Sequence, residues 1–292
     1  MLPLTLTQPT EASERHPLVR GAVGLVGWIH KYRIHVALIY TQAAAALLHF
    51  TGAGGTTSET VILLAAFFFW QLGVYLFNKT CDLVEDAISQ PKEMLQPGEI
   101  AVVRVLSLVM LAAPLGLALW LRRDPLPALA LFVGAILYSQ PLPGLRFRIK
   151  NLFLVKELYS SIPGWAGSMA ALIAVYASRP VPVANPGVQT FLIRLILSTL
   201  AVEFMWDIRD IDGDRAAKVN SPAVKFGAGF ARAAALAFVA TPAIWTLFQS
   251  GTISVQQWLL PAGILVLPRR ARPSTYHLLI DLPFIAAFWL SF

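Results

Sequence analysis

Residues 60–86 read TVILLAAFFFWQLGVYLFNKTCDLVED. From Thr60 to Phe77 there is no charge, and the run then breaks directly into Asn78, Lys79, Asp82, Glu85 and Asp86. An uncharged apolar run of roughly 18 residues or more is long enough to cross the hydrocarbon core of a bilayer as a helix. Its abrupt end places a knot of carboxylates where the chain leaves the lipid.

The rest of the chain agrees. Of 292 residues, 57% are hydrophobic and only 13% charged, with a mean hydropathy of +0.64. A soluble domain carries roughly 25% charged residues, and one core of this size cannot hide so much apolar surface. Lipid must be the second solvent. The composition excludes a disordered or fibrous chain, and a single cysteine, Cys81, excludes an intrachain disulfide. Apolar windows at 34–51, 60–80, 101–121, 126–140, 157–178, 187–206, 231–249, 254–268 and 274–291 predict an all-α, multi-pass membrane bundle of about nine helices.

The net charge of +7 would hint at nucleic acid in a soluble protein, but here orientation accounts for it, and no nucleic-acid partner is expected. With nine spans and a cytoplasmic N-terminus, all the cations except Arg122, Arg123, Arg179 and Arg194 fall on the cytoplasmic side, as the positive-inside rule requires. Residues 1–30 read as a tail and an interfacial helix, without a cleavage site. Residues 31–292 read as one transmembrane domain. The expected location is a bacterial cell membrane.

Seven of the 16 acidic residues fall in two short windows. In NKTCDLVED, residues 78–86, Asn78, Asp82 and Asp86 recur every four residues and share a helix face. In DIRDIDGDR, residues 207–215, Asp207, Asp210 and Asp214 share another. Carboxylates crowded beside hydrocarbon at a helix C-terminus are costly, so something must offset them. Pairing with Lys79, Lys92, Arg209 and Arg215 is the simplest offset. Two such stripes on one predicted membrane face point instead to divalent cations held between them. Oxygen-only donors suit Mg²⁺, which keeps waters and completes its shell with substrate phosphates; without His or Cys among them, zinc does not fit these stripes. The substrate so implied carries a diphosphate and is used within a membrane, which an isoprenoid diphosphate satisfies.

These residues resemble the UbiA superfamily of intramembrane prenyltransferases, whose signatures are NxxxDxxxD and DxxxD: here Asn78, Asp82 and Asp86, then Asp210 and Asp214, with Asp207 extending the second. The flanking segments GDRAAKVNSPAVKFG (213–227) and YSQPLPGLRFRIKN (138–151) are similar to the family's as well. Lys79 stands where many members carry Asp, and SQPKEM (89–94) stands in place of an Arg-Pro pair, leaving Lys92 as that loop's cation. The resemblance implies a helical bundle around a central cavity capped by cytoplasmic loops. It implies Mg²⁺-dependent transfer of a prenyl chain from an isoprenoid diphosphate to an aromatic or other lipid-soluble, hydrophobic acceptor.

On that reading Asn78, Asp82, Asp86, Asp210 and Asp214 hold two Mg²⁺. Asp207, Lys92, Arg146, Arg148, Lys150, Lys156, Arg215 and Lys218 are candidates for contacting substrate, and Lys156 has Glu157 beside it as a possible ion-pair partner. Tyr138 is the candidate catalytic aromatic, drawn from a set that also includes Phe67, Phe68, Phe69, Trp70, Tyr75, Tyr159, Trp165 and Trp206. Glu203, an ionisable residue at membrane depth, is a functional candidate by position. His30, His35, His49 and His277 read as isolated structural or interfacial residues. A terpene cyclase of the same superfamily and a non-enzymatic transporter remain as other classes. Against transport, the acidic residues stop at one face.

Overall fold

A computed structural model of the protein describes residues 25, 27–141, 148–250, 256–268, 271 and 273–289. Nearly all of the tail, most of the expected interfacial helix, Arg146, and Arg269, Arg270 and Arg272 lie outside the described residues. The described chain is helical. Its elements are α1 (Ile34–Thr51), α2 (Thr57–Cys81), α3 (Leu83–Ser89), α4 (Pro97–Trp120), α5 (Leu126–Ser139), α6 (Val155–Tyr176), α7 (Pro186–Ala216), α8 (Pro222–Ser250), α9 (Gln256–Val266) and α10 (273–289).

Each apolar window falls on one of these helices. Among the described residues, five helices (α1, α2, α4, α6 and α8 to Trp245) are long and apolar enough to cross a membrane. α5 and α9 are shorter, at 14 and 11 residues, so the expected count of nine spans is not established by helix length.

Local chemistry sets the helix starts. The Thr56 hydroxyl accepts from the Glu59 N–H while the Glu59 carboxylate accepts from the Thr56 N–H, a capping box that satisfies two otherwise orphaned donors at the head of α2. Asn185 caps α7 through the Gly187 N–H, with Pro186 in the first turn where its missing N–H costs nothing. Contacts run largely in chain order, α1 to α2, α2 to α4, α4 to α5, α5 to α6, then α6 to α7 and onward to α10, which packs back on α1 and closes the ring. Small residues permit the closest approaches: a Cβ on Gly73 of α2 would stand 2.8 Å from the Leu111 nitrogen of α4. On the outer side of α4, Val102, Val105, Leu106 and Val109 are exposed, as a surface facing acyl chains requires.

Two departures from regular α-helix shape the motif end of the bundle. The chain breaks at Asp82, which closes α2 and opens α3, so the first motif is not one continuous helix as its spacing suggests. The ladder nevertheless carries across, with Asp82 N–H donating to the Asn78 carbonyl at 2.9 Å and Asp86 N–H to the Asp82 carbonyl at 2.8 Å. The break also relieves part of the expected dipole cost, because Glu85 and Asp86 now occupy the first turn of α3, where negative charge is favoured. The second departure is a π turn at Ile162–Gly167 inside α6. There the Gly164 carbonyl accepts from Gln71 of α2 and from Ser168.

Candidate active site

α3 lies across the end of α7, and one residue makes this possible. A Cβ on Gly213 would stand 2.3 Å from the Ser89 hydroxyl oxygen and 2.6 Å from the Glu85 carbonyl oxygen, so only glycine lets α3 sit this close. Ser89 donates to the Asp210 carbonyl and the Gln90 amide to the Asp210 carboxylate at 3.3 Å. The two acidic segments, far apart in sequence, thereby face each other across one cavity.

Its polar walls carry Asn78, Asp82, Glu85 and Asp86 from α2 and α3, and Glu203, Asp210 and Asp214 from α7. Interleaved among them are Arg33, Lys79, Lys150, Lys156 and Arg209. Nearly every carboxylate has a protein cation against it. Asp82 is held by Arg148 at 2.6 Å and by Lys150, which also reaches Glu85 at 3.4 Å. Asp86 takes Lys79 at 3.1 Å, Asp214 takes Lys156 at 3.0 Å, and Asp210 takes Arg209 at 2.7 Å. Burial pushes the Asp86 carboxyl up from its ordinary range, against the pull of the Lys79 and Arg33 charges. Charged atoms withheld from water in this way are stable only while such pairing, or a substitute for it, persists.

Several expected residues sit where the motif reading puts them, on the cavity: Asn78, Asp82, Asp86, Lys150, Lys156, Asp210, Asp214 and Tyr138. Others do not. Lys92 is exposed outside the cavity on a three-residue turn, and Arg33, at the entry to α1, reaches Gln90 and lies 3.5 Å from Glu93 in its stead. Arg215 points to solvent and pairs with Asp212, and Lys218 is likewise exposed beyond the end of α7. Asp207, with 0% exposure, lies behind the wall. It holds Lys156 at 2.7 Å and so positions that ammonium rather than touching the cavity. Lys156 does not pair with its neighbour Glu157, whose two buried oxygens have no hydrogen-bond partner among the described residues.

Arg33, Gln71, Gln90 and Tyr40 line the site without any sequence signal singling them out. Arg33 is counted only as a cytoplasmic-side charge because its place depends on a left-handed backbone, φ 57, that residue type does not announce. Lys79, read as a departure from the motif, is 3% exposed and belongs to the site's charge balance.

Part of the lining is aromatic. Tyr138 of α5 stacks on Tyr159 of α6 with centroids 4.0 Å apart and planes 9° from parallel, and Tyr75 stacks on Tyr40. Tyr40 donates to Glu203 at 2.9 Å. Trp206 also lines the space, whereas Phe67, Trp70 and Trp165 are packed in the core and Phe69 is exposed. Glu203 carries the acidic character one step past the motif, so the carboxylates do not all stop at the membrane face.

As a test of whether a divalent cation fits, the buried Asn78 carboxamide oxygen has no hydrogen-bond partner among the described residues. It lines the same cavity as four aspartates, an all-oxygen donor set of the kind Mg²⁺ prefers. The residues fit the ion.

The sequence matches the UbiA prenyltransferase family over residues 37–277. No curated protein matches it. Among solved structures, a UbiA homolog from Archaeoglobus fulgidus bound to DMAPP and Mg²⁺ is 15% identical, with a TM-score of 0.54 over 90% of this chain and 98% of that one. The apo structure of a UbiA homolog from Aeropyrum pernix K1 is 17% identical, with a TM-score of 0.53 over 86% of this chain and 95% of that one. At these identities the likeness is one of fold.

Proposed function

The chain belongs to the UbiA prenyltransferase family, and we propose that it transfers an isoprenoid chain from an allylic diphosphate to an aromatic or other lipid-soluble acceptor within the membrane. The observation that carries this reading is the single cavity in which two aspartate segments, interleaved cations and an aromatic wall meet. A structural neighbour's binding of DMAPP and Mg²⁺ supports it.

Asn78, Asp82, Asp86, Asp210 and Asp214 would hold Mg²⁺. Bound there, the ion neutralises charge on a diphosphate as the C–O bond breaks. The protein's own cations complete that task. Lys79, Lys150, Lys156 and Arg209 now face carboxylates. Once those carboxylates are otherwise engaged, these side chains stand free to donate to phosphate oxygens, where charge develops during bond cleavage. Arg33, at the same wall, replaces Lys92 as the cation of the loop region.

The allylic fragment left behind is cationic at C1 and reacts with water unless water is kept out. Tyr138 and Tyr159 present stacked faces to it, and π faces stabilise cations through the ring quadrupole. The new bond forms between C1 and the acceptor, and the acceptor's displaced proton needs a base. Glu203, buried two turns before Asp210 in α7 and hydrogen-bonded by Tyr40, is the carboxylate we assign to that role.

The test is incubation of purified protein with Mg²⁺ and allylic diphosphates of several lengths, with and without aromatic acceptors, followed by mass identification of products. Diphosphate release that accelerates on addition of acceptor, with a prenylated product, is expected. Rapid acceptor-independent release with a cyclised hydrocarbon or alcohol would assign the protein to the cyclase class instead.

A further inference from the structure

Beside the cavity, on the side where the ring of helices closes, three imidazoles meet. His30 lies in a helical turn before α1, His35 in the first turn of α1 and His277 at the head of a π turn, His277–Asp281, in α10. Their ring centroids form a nearly equilateral triangle with sides of 4.3, 4.5 and 4.4 Å, and one ring nitrogen from each lies within 4.8 Å of the other two. The sequence scatters them across the chain and gives no hint of this.

Two further observations bear on what the cluster is for. Nδ1 of His277 is engaged by the carboxylate of Asp281, which leaves Nε2 as its free ligand atom. Nδ1 of His35 faces the Ile29 carbonyl at 3.4 Å, while its Nε2 is buried without a hydrogen-bond partner among the described residues. A carboxylate or carbonyl on the far nitrogen is how a metal-ligating imidazole is fixed in tautomer and orientation. Without a metal, the buried Nε2 of His35 is left without a partner among the described residues, which is costly.

We propose that His30, His35 and His277 form a binding site for a zinc-class transition ion, with Asp281 as the carboxylate that orients His277. Imidazole donors suit Zn²⁺ and exclude Mg²⁺, so this site is chemically distinct from the aspartate cavity. Tetrahedral ligation at about 2.0–2.1 Å places nitrogens about 3.3 Å apart, within a small inward adjustment of the present spread. All three residues are only partly buried. The fourth position remains for water.

The ion would act as a clasp. It ties the segment before α1 to α10, and between His30 and His35 lies Arg33, whose left-handed backbone turns its side chain toward Gln90 and Glu93 at the cavity. Backbone held in that region is strained and persists only where the surroundings enforce it. A single ion ligated by residues on both sides of Arg33 would supply that enforcement.

The experiment uses full-length, tag-free protein in detergent, dialysed against Zn²⁺ with excess Mg²⁺ and assayed for bound zinc by elemental analysis. Co²⁺ substitution is followed by visible absorption. One zinc per chain and a tetrahedral Co²⁺ spectrum are expected. His30→Gln, at the cluster member in the turn before α1, should lose the stoichiometric zinc while the protein stays folded by circular dichroism, and Asp281→Asn should weaken binding about 10- to 100-fold. Asp82→Asn combined with Asp214→Asn should retain the zinc, which separates this site from the aspartate cavity whatever becomes of activity. Absence of zinc from the parent protein, or equal zinc in parent and His30→Gln, would overturn the proposal.

Discussion

Lys79 shows how one side chain can change a site's charge balance. Buried beside Asp86, it is the ammonium on which that carboxylate depends. Removing one member of a buried pair typically costs about 3–5 kcal/mol, because the other is left charged and unpaired. Lys79→Met should therefore lower the thermal midpoint in chelator, and Mg²⁺ should recover more of the loss than it adds to the parent; differential scanning fluorimetry with and without Mg²⁺ reads this directly. Equal Mg²⁺ responses in both proteins would show that Asp86 does not share a metal. For the aspartates the expectation is different: Asp82→Asn and Asp210→Asn should each abolish turnover in a prenyl-transfer assay, by at least about a hundredfold, while the far-ultraviolet circular dichroism stays helical. Chelation of divalent ions should do the same to the parent. Glu203→Gln tests the proton acceptor, since it should slow product formation yet leave diphosphate binding intact.

Among the elements, the contact between α3 and α7 is the most sensitive. Gly213→Val puts a branched side chain where the Ser89 hydroxyl and the Glu85 carbonyl already sit, and α3 must move away. The expected outcome is loss of activity with the spans intact, measured as normal detergent-solubilised yield and helicity beside absent turnover. Val at Gly98, where a Cβ meets nothing within 4 Å, should be silent. Much of the element plan was legible in the sequence, because a run of 18 or more apolar residues has few fates and four-residue spacing has one geometry on a helix. The aspartates could be found for that reason. The break at Asp82, the exposure of Lys92 and the entry of Arg33 could not. Each depends on backbone turns or on contacts between segments more than 50 residues apart, as between Arg33 and Gln90, and no local pattern encodes these. The histidines illustrate the same limit, since His277 lies more than 200 positions from His30 and His35 and no local pattern joins them.

At the scale of the whole molecule, the cavity requires both aspartate segments at one face of the bilayer. With Cys81 replaced by Ser, single cysteines at Gly98 and at Asn220, which is exposed, should react with an impermeant maleimide from the same side of sealed vesicles. Labelling from opposite sides would separate the segments and end the shared-site reading.

The π turn in α6 has a consequence for chain length. A π turn accommodates one residue more than regular α-helix does over the same stretch, so the two halves of α6 keep a common angular setting, like two dials keyed to one shaft, with the surplus residue stored as slack between them. Lys156 and Tyr159 ride on one dial and look into the cavity; Met169, Leu172 and Tyr176 ride on the other and fill the core. Removing a single residue from 162–167 would let the helix regularise with little relative rotation, because the residue lost is the one the wide turn absorbs. Adding one residue to the regular turn at 169–175 finds no such slack and would turn one dial by about 100° against the other. The ammonium and phenol could then face the carboxylates only if the core gave up its packing.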